Sequence, residues 1–413
     1  MVGDRSESAA PAADLSAWLE AAEGFLEAHL ERRRPQGSSV AGEGSDRVGL
    51  FHNLTVDEER DLIQRGRDWQ RLKSDAGYGS ITWPVEYGGA GLPGAYESAF
   101  RRLEQAFVTP RIHEAVSISV AIVAATVLAL GTPEQKARYV PPLRRADDLC
   151  CQLFSEPGAG SDLGSVATRA IRDGSEWVIT GQKVWTSGAA HADWGYVLVR
   201  TDTDAPRQRA MSTFIVPMRS AGVEVRPLRQ MSGGSSFNEV FLTDVRVPDD
   251  ARLGDVGAGW HAAMTTLGIE RTTISVASSG GGTDLLGRLT SLARELGRDR
   301  DPQVRQGLAD VYVLGRLRSL NGRRAAANSA AGGGPGPAGS IGKLLTTHRA
   351  ARITEVVSML LGPRLGADSG EWGTFAWAEF VTGVPGQRLA GGTDEIQRNA
   401  IAERGLGLPR ESR

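Results

Sequence analysis

The sequence is poor in the residues that staple, coordinate or anchor a chain. Its only cysteines, Cys150 and Cys151, are adjacent. A disulfide between neighbours is strained, so the pair excludes a disulfide scaffold and points to a reducing, cytoplasmic setting. Histidine is scarce too. His29, His52, His113, His191, His261 and His348 are scattered, without ligand spacing among themselves or to the cysteines, so no metal site is expected. No apolar run reaches the roughly 20 residues of a membrane span. The most apolar, residues 115–130, contains Ser117, Ser119 and Thr126 and reads as a buried helix. Residues 1–15 hold no apolar core of the signal-peptide type. Charge of one sign is also missing. With 47 basic and 49 acidic residues the net charge is −2, which gives no general attraction to nucleic acid or to an anionic membrane.

What is present suits a soluble protein of two or three domains, since 413 residues with 40% hydrophobic content suffice for more than one core. The first part is helical in pattern, with Leu15, Trp18, Leu19 and Ala22 on one face and Leu62 and Trp69 in a later helix. Trp83-Pro84-Val85-Glu86-Tyr87-Gly88-Gly89-Ala90-Gly91 interrupts it with turn chemistry, its aromatics expected to anchor the turn. Past Cys150, residues 168–171, 177–180, 196–200, 212–216, 223–227 and 239–247 alternate or run apolar between turns, which predicts strands. Helical spacing returns from Gly259, with Trp260, Met264 and Leu267 on one side, then helices near 283–296, 304–327 and 342–361. Gly332-Gly333-Gly334-Pro335-Gly336-Pro337 separates the last two. The expected organisation is an N-terminal α-helical domain (1–150), a middle β domain (151–258) and a C-terminal helical bundle (259–413).

Two segments carry most of the chemistry. Gln152-Leu153-Phe154-Ser155-Glu156-Pro157-Gly158-Ala159-Gly160-Ser161-Asp162-Leu163 packs hydroxyls and glycines into a loop whose N–H groups can reach anionic or carbonyl oxygens. Gly181-Gln182-Lys183-Val184-Trp185-Thr186-Ser187 puts an indole and a hydroxyl two residues apart. In a regular strand such residues share a face, so Trp185 would lie against a flat ring system while Ser187 bonds its edge. An isoalloxazine ring suits that pair. Other motifs fail on their own terms. Ser340-Ile341-Gly342-Lys343 lacks the companions of a penicillin-recognising site, and a phosphate loop there would need Ser or Thr at Leu344. Gly158-Ala159-Gly160 has no third glycine at dinucleotide spacing.

On these residues the chain resembles the acyl-CoA dehydrogenase family, over nearly its whole length after the first dozen residues. The resemblance implies an α+β fold with an N-terminal helical domain, a middle β domain and a C-terminal four-helix bundle. It also implies FAD, held at its ring by Gln152, Phe154, Ser155, Trp185, Thr186 and Ser187, with Ser161 meeting both FAD and the thioester arm of the substrate. Most members carry the base that takes the substrate's α-proton in a C-terminal Glu-Gly-Thr motif. Here that segment reads Ala390-Gly391-Gly392-Thr393, with Gly391 where the glutamate stands. A minority, similar to isovaleryl-CoA dehydrogenase, carry it on a helix at the position of Glu270. The resemblance therefore implies Glu270 as base, Arg271 as a substrate contact and flavin N5 as hydride acceptor, giving a trans-2-enoyl thioester of CoA or of an acyl carrier protein.

The other half of FAD is usually held across a subunit boundary. Arg294 in Arg294-Glu295-Leu296-Gly297 matches that pattern only in part, and Gly362-Pro363 departs from it because proline has no N–H to donate. Thr393 and Glu395 belong to a well-kept closing motif. Two assemblies follow, a homotetramer or homodimer and a hetero-oligomer with a homologous partner, with electrons passing to an electron-transfer flavoprotein. Rival functions are a flavin-dependent monooxygenase on the same scaffold and a non-catalytic partner subunit.

Overall fold

The computed structural model describes residues 14–33, 46–51, 53–277, 284–333 and 336–410. The readings made on residues 1–13, His52, Thr283, Gly334 and Pro335 lie outside the described residues.

The N-terminal part is built from α1 (Leu15–His29), α2 (Val56–Asp75) and α3 (Gly94–Glu104), then α4 (Glu114–Ser117), a π-helical turn (Ile118–Val123), α5 (Ala124–Leu130) and α6 (Pro133–Arg145). Their starts follow from side chains that accept the first free amides. Thr55 and Glu58 form a capping box on α2, and Thr132 and Gln135 another on α6, with Pro133 at the first helical position. The apolar run at 115–130 is helical as expected, but a π turn interrupts it. Between α2 and α3 a short 3-10 turn (Val85–Tyr87) carries Trp83 and Tyr87, which pack on the core shared with the sheet.

The β part contains β1 (Cys150–Leu153), β2 (Arg169–Asp173), β3 (Glu176–Ser187), β4 (Trp194–Arg200), β5 (Met211–Pro217), β6 (Val223–Leu228), β7 (Phe237–Pro248) and β8 (Arg252–Leu253). They form one sheet in the order β6-β7-β3-β2-β4-β5-β8, with β1 parallel to β4. Tyr196, Leu198, Met211 and Ile215 face the helices, while Val197, Val199, Phe214 and Val216 face residues of β3 and β7 such as Ile179 and Val240. β4 and β5 are thus covered on both sides, which is why β4 reads as an apolar run rather than an alternating one and why even Ser212 and Thr213 of β5 are buried.

The C-terminal part holds α7 (Gly259–Ala277), α8 (Leu285–Glu295), α9 (Pro302–Ala330), α10 (Ala338–Leu361), α11 (Ala376–Leu389) and α12 (Asp394–Gly405). α8, α9, α10 and α11 share an apolar core around Leu289, Val304, Ile353 and Phe380. α7 leans on the sheet and the N-terminal helices as well as on α10. Thr266 Oγ1 lies 3.2 Å from Thr126 Oγ1 of α5 and 3.4 Å from the Tyr196 hydroxyl of β4, all three buried. That hydroxyl cluster fixes the rotation of α7 one turn before Glu270.

Candidate active site

β1 and β3 bring the two informative segments together. The Val184 N–H donates to Ser155 O at 2.9 Å, so the loop after β1 is fastened to the last part of β3. There β3 is not regular. Its register against β7 shifts between Lys183 and Thr186, and Trp185 takes φ +61°, a left-handed conformation that a bulky residue seldom adopts. The bulge reverses the alternation, so Lys183 is fully buried while Trp185 is 58% exposed. The bulge parts Trp185 from Lys183 and not from Ser187: past it Val184 and Thr186 turn inward, while Trp185 lies beside Phe237, the residue paired with Ser187. Ser187 is half-buried and Thr186 buried. The strand then ends at Gly188, φ +64°, where a Cβ would come within 2.5 Å of the Ala115 Cβ of α4. Only glycine permits that approach of strand to helix.

Glu270 stands on α7, with the Gln152 side chain of β1 near enough to act on its carboxyl. Although Glu270 is half-buried as a residue, desolvation raises its proton affinity above the usual carboxylate range. The Gln152 amide and the charges of Arg271 and Lys343 pull against that rise. Gln152 lies three residues before Ser155, so one short strand supplies both the partner of the acid and the start of the loop. Arg271 is half-buried, with its proton affinity lowered by burial and by Arg404 of α12.

Other expected site residues divide. The Phe154 ring is buried 5.4 Å from the Tyr196 ring, so only its main chain is available to a ligand. Ser161 is exposed in the loop before β2. Thr393 caps α12, its Oγ1 accepting from the Ile396 N–H at 3.2 Å, and Glu395 is exposed beside Arg398. Arg294 is exposed at the end of α8, which packs on α9 and α10, away from the β1–β3 cluster. Gly391 has φ +66° and its carbonyl accepts from Gln397 Nε2 at 2.9 Å.

Three charged residues near these segments escaped sequence reasoning. Lys183 Nζ donates to Glu156 Oε1 at 2.7 Å, and both side chains are buried. Burial lowers the Lys183 ammonium to about 8, against the pull of Glu156. Burial would raise Glu156, but Lys183 and two backbone amides hold it below its ordinary value. Lys343 of α10 donates to Gln387 O and Ala390 O, each at 2.6 Å, and feels both Asp394 and Glu270. The one available signal was a lysine interrupting a strand next to apolar Val184.

The chain's own groups fit a flavin. A 58% exposed indole is held out by a bulge, edge-on to Phe237 at 5.9 Å, and so offers an open face to a flat ring. Beside it lie Ser187 and a buried Thr186 Oγ1 with no hydrogen-bond partner among the described residues.

Profiles of the acyl-CoA dehydrogenase N-terminal, middle and C-terminal domains match residues 52–147, 151–245 and 257–406. The chain is 36% identical over 363 residues to acyl-CoA dehydrogenase IpdE1 of Mycobacterium tuberculosis, covering 86% of this chain and 91% of that one. It is similar to the solved structure titled Tcur3481-Tcur3483 steroid ACAD, with TM-score 0.74 and 26% identity over 98% of this chain and 99% of that one. The ChsE4-ChsE5 complex from Mycobacterium tuberculosis gives TM-score 0.67 and 25% identity over 87% of this chain and 100% of that one.

Proposed function

Because the chain belongs to the acyl-CoA dehydrogenase family, whose members are flavin-dependent, we propose that it oxidises a saturated acyl thioester to the trans-2-enoyl thioester with Glu270 as base. The observation that carries this reading is the carboxyl of Glu270 placed beside the Gln152 side chain, on the strand that leads into Ser155 and, through Val184, to Trp185. FAD, when bound, supplies the acceptor for the β-hydrogen, which leaves the substrate as hydride. Every other step belongs to the protein. Glu270 takes the α-proton on a carboxylate oxygen, and its raised proton affinity suits it to accept near neutral pH. Gln152 holds the carboxylate, and Trp185 gives the ring a shelf. Arg271 and Ser161 position the thioester arm. The packed helices α5 and α7 exclude water from the side opposite the sheet.

The departure at Gly391 supports the same assignment. A glutamate there would need a left-handed backbone, which is costly for a residue with a Cβ, whereas α7 presents Glu270 from regular helix. Similarity to a steroid ACAD favours a bulky, ring-bearing acyl group. An anaerobic bleaching screen over short, branched, long and steroidal acyl-CoAs tests reaction and substrate together. The steroidal thioester should bleach the yellow protein, and Glu270→Gln should stay yellow and unbleached. Bleaching of Glu270→Gln at near the unmutated rate removes the base assignment. Bleaching by straight chains alone removes only the substrate class.

Assembly belongs to the same reading. Val313, Leu317 and Leu320 form an exposed apolar stripe at helical spacing along α9, joined by Tyr312. We take this face to be covered by a second copy, so that the outer half of FAD is held between subunits. Colourless protein that gains FAD only with a homologous chain would favour the hetero-oligomer instead.

A further inference from the structure

We propose that the buried Glu156–Lys183 ion pair is the positioning device of the flavin site, fixing the Phe154-Ser155 segment, the neck of the Ser161 loop and the Trp185 strand as one unit. The inference rests on the flavin reading above.

The pair stands where the sheet stops serving the chain. Pairing of β1 with β4 ends at Leu153 opposite Val197. The next carbonyls on both strands, Phe154 O and Leu198 O, turn to Lys183 Nζ at 3.1 and 2.6 Å. With the Glu156 Oε1 bond at 2.7 Å, all three ammonium protons are used. The ammonium replaces sheet pairing at the point where β1 must leave the sheet to present Ser155. Glu156 does the complementary work. Its carboxylate accepts the Ala167 N–H at 2.6 Å and the Thr168 N–H at 3.0 Å, just before β2 begins at Arg169. Residue 156 and residues 167–168 are thereby drawn together, and the loop between them, with Ser161 at its exposed side, is closed at its neck. Two residues after Lys183 comes Trp185, in the bulge that turns lysine inward and indole outward.

A buried ion pair is a weak source of net stability, because desolvation of the two charges offsets much of their attraction. What an apolar pair of equal size could not do is satisfy two carbonyls and two amides from three separate segments. The expected consequence is therefore local. Single substitutions, Glu156→Gln or Lys183→Met, strand a buried charge and should lower Tm strongly. The double variant Glu156→Gln/Lys183→Met removes both charges and should recover most of the Tm. Its FAD Kd should nevertheless stay on the order of ten-fold or more above that of the unmutated protein, since methionine leaves both carbonyls unheld and the glutamine amide offers one acceptor oxygen where the carboxylate offered two. An FAD Kd that returns to the unmutated value together with Tm would overturn the proposal and leave the pair a packing element.

If the double variant does not fold, hydrogen exchange on the unmutated protein decides. Amides of Ala167, Thr168 and Val184 should gain protection together on addition of FAD, and unchanged exchange at all three overturns the proposal. Unmutated protein that takes up no FAD overturns the flavin reading as well, a failure distinguished by appearing before any substitution is made.

Discussion

At the scale of single residues the site turns on how a helix-borne acid is held. The Gln152 side chain favours the ionised form of Glu270 against the effect of burial. Gln152→Met should therefore let Glu270 keep its proton to higher pH. The rising limb of the bleaching rate against pH should move upward, with a rate near neutral pH about ten-fold lower, the scale of one hydrogen bond to a charged group. A limb that stays in place while the rate falls would show that Gln152 does not act through Glu270. Gly391 gives the converse case. Gly391→Glu forces a side chain onto a backbone at φ +66° and should cost about 1–2 kcal/mol of stability, read as a fall in Tm. In a Glu270→Gln background it should restore little bleaching. Substantial restoration would mean that the loop relaxes to seat a base.

At the scale of elements, the π turn is tied down from outside. Arg144 of α6 donates to Val120 O at 2.7 Å, to Ser80 Oγ at 3.0 Å and to Gly79 O, and lies 4.1 Å over the Trp83 ring. Burial lowers its proton affinity to about 10, so the cation is kept for its contacts. Arg144→Met leaves those acceptors unpaired and should destabilise the protein by about 2–4 kcal/mol, measured by denaturant unfolding. A loss below about 0.5 kcal/mol would mean that the turn holds itself. The elements themselves were largely legible. β4 announced itself as an apolar run because it is buried on both sides. β1 was not legible, since four residues paired with a strand over forty positions away leave no pattern of their own. The bulge at Trp185 was hidden for a related reason. It depends on what surrounds Lys183, and alternation alone would set the indole on the same face as that lysine. Glu270 was reached through resemblance, not periodicity, because an acid on an otherwise apolar helix carries no local sign of what faces it.

At the scale of the molecule, the N-terminal helices and the sheet meet on a single carboxylate. Glu59 of α2 accepts from His113 at 3.0 Å, just before α4, and from His191 at 3.2 Å, just after β3. Burial would raise its proton affinity, but the two imidazoles hold it down to about 2. A carboxylate lowered in the fold stabilises it fully above its unfolded value near 4.5, and that contribution is lost as pH falls from there toward 2. Between those values the unfolding free energy should drop about 1–2 kcal/mol more in the unmutated protein than in Glu59→Gln, the smaller figure allowing for solvent screening. Parallel curves would show that Glu59 is not a linking group. On the same scale, Leu317→Asp with Leu320→Asp should shift the mass in solution toward a monomer and lower bound flavin per chain, whereas an unchanged mass places the interface elsewhere. Lys343 reaches furthest. One ammonium on α10 grips the backbone just ahead of the glycine-bearing loop and also acts on the acid of α7, elements that only the fold makes neighbours. The counter-ion thus belongs to the location, whichever stretch of chain delivers the proton acceptor. On the reading proposed above, transposing that acceptor from loop to helix keeps it within reach of the same ammonium, which would make the relocation a short step for a lineage to take.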